Sequence, residues 1–350
     1  MKKKILAAAR AAGFELAGIA PVGDFAEHGH FEEWIAAGRA GEMQYLAARD
    51  DAGELKRASL GRVAPWARSV IVCAANYNTA QPYSTADGNA SRGWIARYAW
   101  GSDYHDGILD RLRDVERVMK QEHDSSLPEL ITRCYVDTGP VVERIYAKYA
   151  GIGWSGKNTC IIHQKAGSWL FLGVILTSLE LPPDLPAPDR CGSCTRCIDA
   201  CPTDAITAPH QLDASLCISY LTIEKRGPIP EHLRERLGRH VFGCDICQDV
   251  CPWNRKAPIS AAAEFQPREG LVNPALEWLA GMDEAQFREV FRGSPVRRAK
   301  RQGLRRNAVL AMGNSGDTAF LGDLEKMESD EDPVVADAAK WAVAEIKRKD

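Results

Sequence analysis

Seven of the eleven cysteines in this chain fall into two runs whose spacing suits iron–sulfur chemistry. The first, Cys191-Gly-Ser-Cys194-Thr-Arg-Cys197-Ile-Asp-Ala-Cys201-Pro202, is C-x2-C-x2-C-x3-C-P. In that bacterial ferredoxin pattern three close thiolates hold one [4Fe-4S] cluster and the fourth reaches across to another. The second run, Cys244-Asp-Ile-Cys247-Gln-Asp-Val-Cys251-Pro252, lacks its first cysteine, because Val241 stands three residues before Cys244. Cys217, alone in Leu-Cys-Ile-Ser, is the replacement. The crossing assigns Cys191, Cys194, Cys197 and Cys251 to one cluster and Cys201, Cys217, Cys244 and Cys247 to the second. Structural zinc and disulfides compete for such cysteines, but zinc sites favour separated C-x2-C pairs and neither use accounts for a proline after each fourth cysteine. Two clusters in one chain form a relay for single electrons.

Two other stretches invite chemistry. Gly151-Ile-Gly-Trp-Ser-Gly156-Lys157-Asn158 nearly matches the phosphate-binding G-x4-G-K-[ST], yet Asn158 replaces the magnesium-binding hydroxyl and the loop follows a helix, so both mismatches weigh against nucleotide hydrolysis. Its glycines are read as letting the backbone approach something flat or bulky. Asp137, in Asp137-Thr-Gly-Pro140, reads on spacing alone as a turn and cap residue. Its place at the carboxyl end of a strand, where open α/β sheets gather ligands, also makes it a candidate acid.

The elements that must position these residues follow from periodicity. Residues 1–50 read as three helices, about 2–12, 25–37 and 42–49, punctuated by acids and glycine. Ser69–Ala75, Ile131–Val136 and Ser168–Thr177 are short β-branched or apolar runs and read as strands. Apolar residues recur at helical spacing from Asp103 to His123, which predicts a long amphipathic helix. A further helix is expected from Pro140 to Ala150, with proline at its first position and Gly151 closing it. Four prolines in Leu181–Pro188 make a linker. Helices are expected at 274–281, 283–292, 303–313, 317–328 and 333–348, a rhythm resembling a HEAT-like repeat. The chain therefore divides into an α/β domain at 1–178, a two-cluster ferredoxin-like domain at 179–260 and a helical domain at 261–350.

Composition narrows the setting. The 350 residues suit two or three domains, and 45% hydrophobic content suits a protein with a proper core. A net charge of −3 exerts no global pull on nucleic acid, so polyanion contact needs a local patch. Cys73, Cys134 and Cys160 remain as core thiols, in keeping with a reducing cytoplasm. Arg10 and Glu15 interrupt the N-terminal apolar run too early for a signal peptide, and nothing approaches the roughly 18 apolar residues of a membrane span. A cytoplasmic monomer without membrane contact is expected.

Asp137-Thr-Gly-Pro-Val-Val-Glu-Arg144, Ala150–Asn158, Gly167-Ser-Trp, Tyr98-Ala-Trp-Gly-Ser-Asp-Tyr-His105, the double ferredoxin motif with displaced Cys217, and Arg306-Asn-Ala-Val-Leu-Ala-Met-Gly-Asn314 together resemble the epoxyqueuosine reductase family over nearly the whole chain. The resemblance implies a cobalamin-dependent enzyme that reduces epoxyqueuosine at the tRNA wobble position to queuosine, the last step of queuosine biosynthesis. It also implies a nitroreductase-like α/β core, similar to that of reductive dehalogenases, which holds the corrin. Asp137 would be the proton donor, a role a carboxylic acid fills only while protonated. By motif, Arg57, Ala96, Asp137, Ile161, Leu172 and Lys225 would flank the corrin. Asp103-Tyr-His105-Asp-Gly-Ile108 begins like the cobalt-binding Asp-x-His-x-x-Gly but places Ile108 where glycine is required, so His105 is expected to hydrogen-bond near the site and leave cobalt without a histidine. Electrons would come from an external low-potential donor of flavodoxin or ferredoxin type.

The local patch is Arg292–Arg306, with seven basic residues and no acid. Like charges at Arg297, Arg301 and Arg305 would repel along one helix unless phosphates neutralised them, so these residues and Arg298 are expected to grip tRNA. Two rival classes remain. A reductive dehalogenase would share corrin and clusters but would be exported and lack the basic tail; an electron-carrier subunit would need only residues 180–260.

Overall fold

The computed structural model describes residues 1–350 apart from 125 and 127. At its centre lies Ser69–Asn76, whose apolar and β-branched residues are all buried. It belongs to a four-stranded sheet ordered Leu16–Pro21, Ser69–Asn76, Leu170–Thr177 and Thr132–Tyr135, with every neighbouring pair antiparallel.

The first of these strands departs from the three-helix reading of residues 1–50. Leu-Ala-Gly-Ile-Ala carries little β propensity. The strand forms because Leu16 pairs with Ala74 and because Gly18 admits the backbone of the helix end above it: a Cβ on Gly18 would lie 2.0 Å from the carbonyl oxygen of Ala150. The helix expected at 42–49 is only a 3-10 turn, Gln44–Ala47. Antiparallel order also removes the parallel-sheet argument for Asp137, which follows an edge strand.

Each face of the sheet is covered. Helices Lys2–Ala11 and Tyr104–Gln121 bury Ile5, Ile108, Leu112 and Val115 against Ile71 and Ile175. Tyr146, Ile152 and Ile161 pack with Val70, Val72 and Val174 in a separate core cluster. The helix after Asp137 runs Glu143–Tyr149, so Pro140 is not its first residue; residues 137–141 form a bend before it.

The C-terminal helices Leu276–Ala280, Glu284–Val290, Lys300–Ser315, Leu321–Met327 and Pro333–Lys349 stand close to their expected places. They share a core with the segment between the cysteine runs, where Leu221, Val241 and Phe242 meet Leu276, Leu304 and Val309. The buried Arg306 guanidinium secures this joint by donating to the carbonyl oxygens of Leu221 (2.8 Å), Lys225 (3.0 Å) and Gly227 (2.7 Å). Asn307 donates to Thr222 and Val241 carbonyls, both at 2.8 Å. Among the described residues no helix is long and apolar enough to cross a membrane.

Candidate active site and electron path

Asp137 sits in the left-handed backbone region, φ 57°, which aims its carboxylate out of the bend with 52% of the side chain exposed. The Tyr104 hydroxyl donates to its Oδ2, and His105 Nε2 lies 3.7 Å from the same oxygen. Both partners are fixed from behind. Tyr104 stacks on Phe171, with centroids 4.2 Å apart, and His105 Nδ1 bonds Asp103 Oδ1 at 2.8 Å. Asp103 also caps the helix by accepting from the His105 amide at 3.1 Å.

These contacts set proton affinities. Burial alone would depress the His105 imidazole, but the bond to Asp103 and the charges of Asp103 and Asp137 outweigh it and raise its pKa. Burial, reinforced by the Asp137 charge, pushes the Tyr104 hydroxyl well above its usual range. Glu143 is an acid that sequence reading passed over as part of a helix start. Burial and the Asp137 charge push its carboxyl up to about 7, against the opposing pull of Arg57 and Arg144. Its Oε1 is buried without a hydrogen-bond partner.

Cys191, Cys194, Cys197 and Cys251 line one small cavity with Lys157, Asn158, Pro252 and Trp253, the ligand set the crossed spacing demands. The Trp154 indole N–H points at Cys191 Sγ, 3.4 Å away. The other four thiols are mutual neighbours: Cys217 feels Cys201, Cys244 feels Cys217 and Cys201, and Cys247 feels Cys244 and Cys217. All eleven cysteines are free thiols. Two such sets of four fit two cubane clusters.

Cys160 departs from its reading as a plain core thiol, because its thiol and that of Cys247 are close enough to shift one another's proton affinity. The next residue, Ile161, is a corrin candidate. Ala96, another, donates its amide to Phe242 at 2.8 Å, and a Cβ on Gly243 would come within 2.6 Å of its methyl. The Arg97 amide donates to Asp245 Oδ2 at 2.6 Å. The second cysteine set therefore abuts residues 96–97 and 160–161, whereas the first set lies beside Trp154, Lys157 and Trp253.

The false phosphate loop has a structural task. Trp154–Ser155 and Ile161–Ile162 form a hairpin, and two of the glycines admit the chain's own backbone: a Cβ on Gly151 would lie 2.8 Å from the Leu185 carbonyl oxygen and one on Gly153 2.4 Å from that of Ile162. The turn between the strands bonds both cysteine runs through Lys157 and Asn158. A second joint is the buried network in which Asn254 Oδ1 accepts from the Ser168 amide (2.7 Å) and Gln248 Nε2 donates to the Ser168 carbonyl (3.0 Å).

The remaining expected site residues scatter around this centre. Arg57 donates to the Tyr45 carbonyl at 2.8 Å and lies near enough to Glu143 to affect its charge. Ile161 and Leu172 belong to the same core cluster as Tyr146. Lys225 is ion-paired with Glu42.

The basic segment needs correction. Pro295–Ala299 is a 3-10 turn and Lys300 has φ 59°, so Arg297 does not share a helix with Arg301 and Arg305. Arg305 is buried, bonded to Asp330 (2.6 Å) and to the Ala280 carbonyl (2.7 Å), and offers no charge to a phosphate. Arg301 is half-buried against Glu284. The exposed charges are Arg292, Arg297, Arg298 and Lys300, of which Arg298 is paired with Glu224. They adjoin Asp103: the Gly293 carbonyl accepts from its amide at 2.8 Å, and its pKa, lowered chiefly by the bond to His105, is lowered further by the Arg297 charge.

Residues 57–138 match the family model described as epoxyqueuosine reductase QueG, DUF1730, and residues 190–254 match the 4Fe-4S double cluster binding domain. Over 345 residues, 98% of this chain and 95% of the relative, the sequence is 39% identical to the epoxyqueuosine reductase of Xanthomonas campestris. The chain belongs to the epoxyqueuosine reductase family. Solved structures agree. An epoxyqueuosine reductase with a tRNA-Tyr epoxyqueuosine-modified stem loop matches at TM-score 0.88 and 31% identity, over 99% of this chain and 90% of that one. Another, from Bacillus subtilis with its catalytic aspartate loop swung out of the active site, matches at 0.87 and 31% over the same shares. The mixed α/β fold with a double-cluster ferredoxin domain is that of solved epoxyqueuosine reductases.

Proposed function

We propose that this chain reduces the epoxide of epoxyqueuosine in tRNA to queuosine, taking two electrons and two protons and releasing water. The observation that carries this reading is the exposed Asp137 carboxylate, held by Tyr104 and His105 in a module bonded directly to a two-cluster relay. The modified stem loop bound to a structural relative supports tRNA as substrate.

Cobalamin is the cofactor this reading requires; when bound it supplies low-potential cobalt chemistry. Fit is supported by apolar Ile161 and Leu172, by the small Ala96 against Gly243, and by the unpartnered Glu143 oxygen near exposed Asp137. Arg57, Ala96, Asp137, Ile161 and Leu172, in a nitroreductase-like domain at 1–178, would hold it together with Lys225 from the ferredoxin-like domain. Asp137 delivers a proton to the epoxide oxygen; Tyr104 and His105 orient its carboxyl, and the raised pKa of His105 makes an imidazolium available to reprotonate it. Residues 179–260 relay electrons from a flavodoxin- or ferredoxin-type donor. The HEAT-like domain at 261–350 offers Arg297 and Arg298 to the tRNA backbone, with Arg301 behind them. The enzyme works as a cytoplasmic monomer without membrane contact.

The test is anaerobic incubation of the reduced, cluster-loaded protein and cobalamin with epoxyqueuosine-containing tRNA, followed by nucleoside analysis. Queuosine should appear only when both cofactors are present. Persistence of epoxyqueuosine with concurrent dehalogenation of an organohalide would overturn the reading in favour of a dehalogenase.

A further inference from the structure

We propose that the surface around the first cysteine set is the docking site of a small acidic electron-donor protein, with Arg190, Arg196, Arg255 and Lys256 as its charged contacts. The proposal rests on the relay reading of the clusters. The second set meets Ala96 and Arg97 through Gly243 and Asp245, whereas the first reaches the α/β half at the hairpin and near Cys160, so electrons enter at the first. Electron transfer falls steeply with distance, so the donor must seat against that end.

The surface there has the wrong sign for a chain of net charge −3. All four cations are exposed, and none forms an ion pair among the described residues. Elsewhere arginines are commonly matched, as Arg236 is with Asp204 and Arg298 with Glu224. Arg196 lines the cavity of the first cysteine set and also an adjoining one shared with Arg255, which places these charges on one face. Asp189 is drawn toward His210, 3.8 Å away, and Asp199 accepts from the Thr195 hydroxyl at 2.8 Å. Asp249, half-buried, lines the cavity with Arg196, Asp199 and Arg255, so four cations without ion pairs face three carboxylates, two of them engaged, and the net positive collar around the entry point steers an acidic partner and orients it.

A tRNA is also a polyanion, but its modified base must reach Asp137, and exposed Arg297 acts on Asp103, at the start of the helix that carries Tyr104 and His105, not on the cluster face. An acidic flavin or iron–sulfur protein is therefore the occupant that fits the cluster face. Each transfer moves one electron from the reduced donor to the first cluster, with no bond made or broken.

The test uses the cluster-loaded R255E/K256E variant, reduced anaerobically by flavodoxin or by dithionite while cluster absorbance is followed. Reduction by flavodoxin should slow by about ten-fold or more at low salt, with its ionic-strength dependence flattened, while reduction by dithionite stays within about two-fold of the unaltered protein. An unchanged flavodoxin rate and salt dependence overturns the docking site, as does a loss of tRNA affinity in its place. Failure of the unaltered protein to incorporate iron and sulfide overturns the relay reading itself, which is a separate outcome.

Discussion

Lys157 Nζ donates to the carbonyl oxygen of Cys194 at 3.0 Å, and to that of Gly192 at 2.7 Å, from the turn of a hairpin in the α/β domain. The neighbouring Asn158 side chain donates to the Cys247 carbonyl at 3.3 Å. One turn thereby touches a loop of each cysteine run. The Ser168–Asn254–Gln248 network adds a second buried joint, so the relay is registered against the site by polar contacts that would be costly to leave unmade.

Cys217 completes the second set from outside either cysteine run, with Cys201 and Cys244 as neighbours. Cys217→Ala should therefore lose the second cluster and keep the first. Iron and sulfide should fall from about eight to about four each per chain. Retention of near eight would give the fourth ligand to another residue.

Asp137→Asn preserves shape and the contact with Tyr104 but removes the transferable proton. Turnover on epoxyqueuosine tRNA should fall by about 10²–10⁴-fold with cluster content unchanged. Near-normal turnover would return Asp137 to the part of a turn residue.

Glu143 links pH to stability. Its carboxyl is raised from 4.5 to about 7, with burial and then Asp137 opposing its ionisation and Arg57 and Arg144 favouring it. Between those values the folded state holds a proton that the unfolded chain has released, so stability falls as pH rises through the window and stays lower above it. Glu143→Gln removes that loss. Urea denaturation of the variant should show a gain over the unaltered protein that grows from pH 4.5 to pH 7, on the order of 2 kcal/mol. A difference independent of pH would contradict the raised pKa.

Arg297 and Arg305 should separate in their effects. Replacing Arg297 and Arg298 by Gln should weaken tRNA binding and flatten its log–log salt slope by about 0.7–0.9 per lost phosphate contact. Arg305→Gln instead strands Asp330 in a buried pair and should cost about 3–5 kcal/mol of stability. Its salt slope for tRNA should match that of the unaltered protein.

What the sequence determined by itself is local. The cysteine spacing points to three close thiolates in the first run and two in the second because each run packs them within a few residues, and the Tyr104–Gln121 helix follows from a period its own side chains carry. The tertiary structure decided what depends on distant partners. Leu16–Pro21 is a strand because Ala74 and the Ala150 carbonyl meet it, Arg305 is buried because Asp330 lies opposite, and Cys160 neighbours a proposed cluster ligand because Cys247 is folded against it. Glu143 shows the same division most plainly: its sequence marks a helix start, while its proton affinity is set by burial and by Asp137 across the bend. A residue's type and near neighbours set its backbone preference, but its solvation and charge environment exist only once remote segments have closed around it.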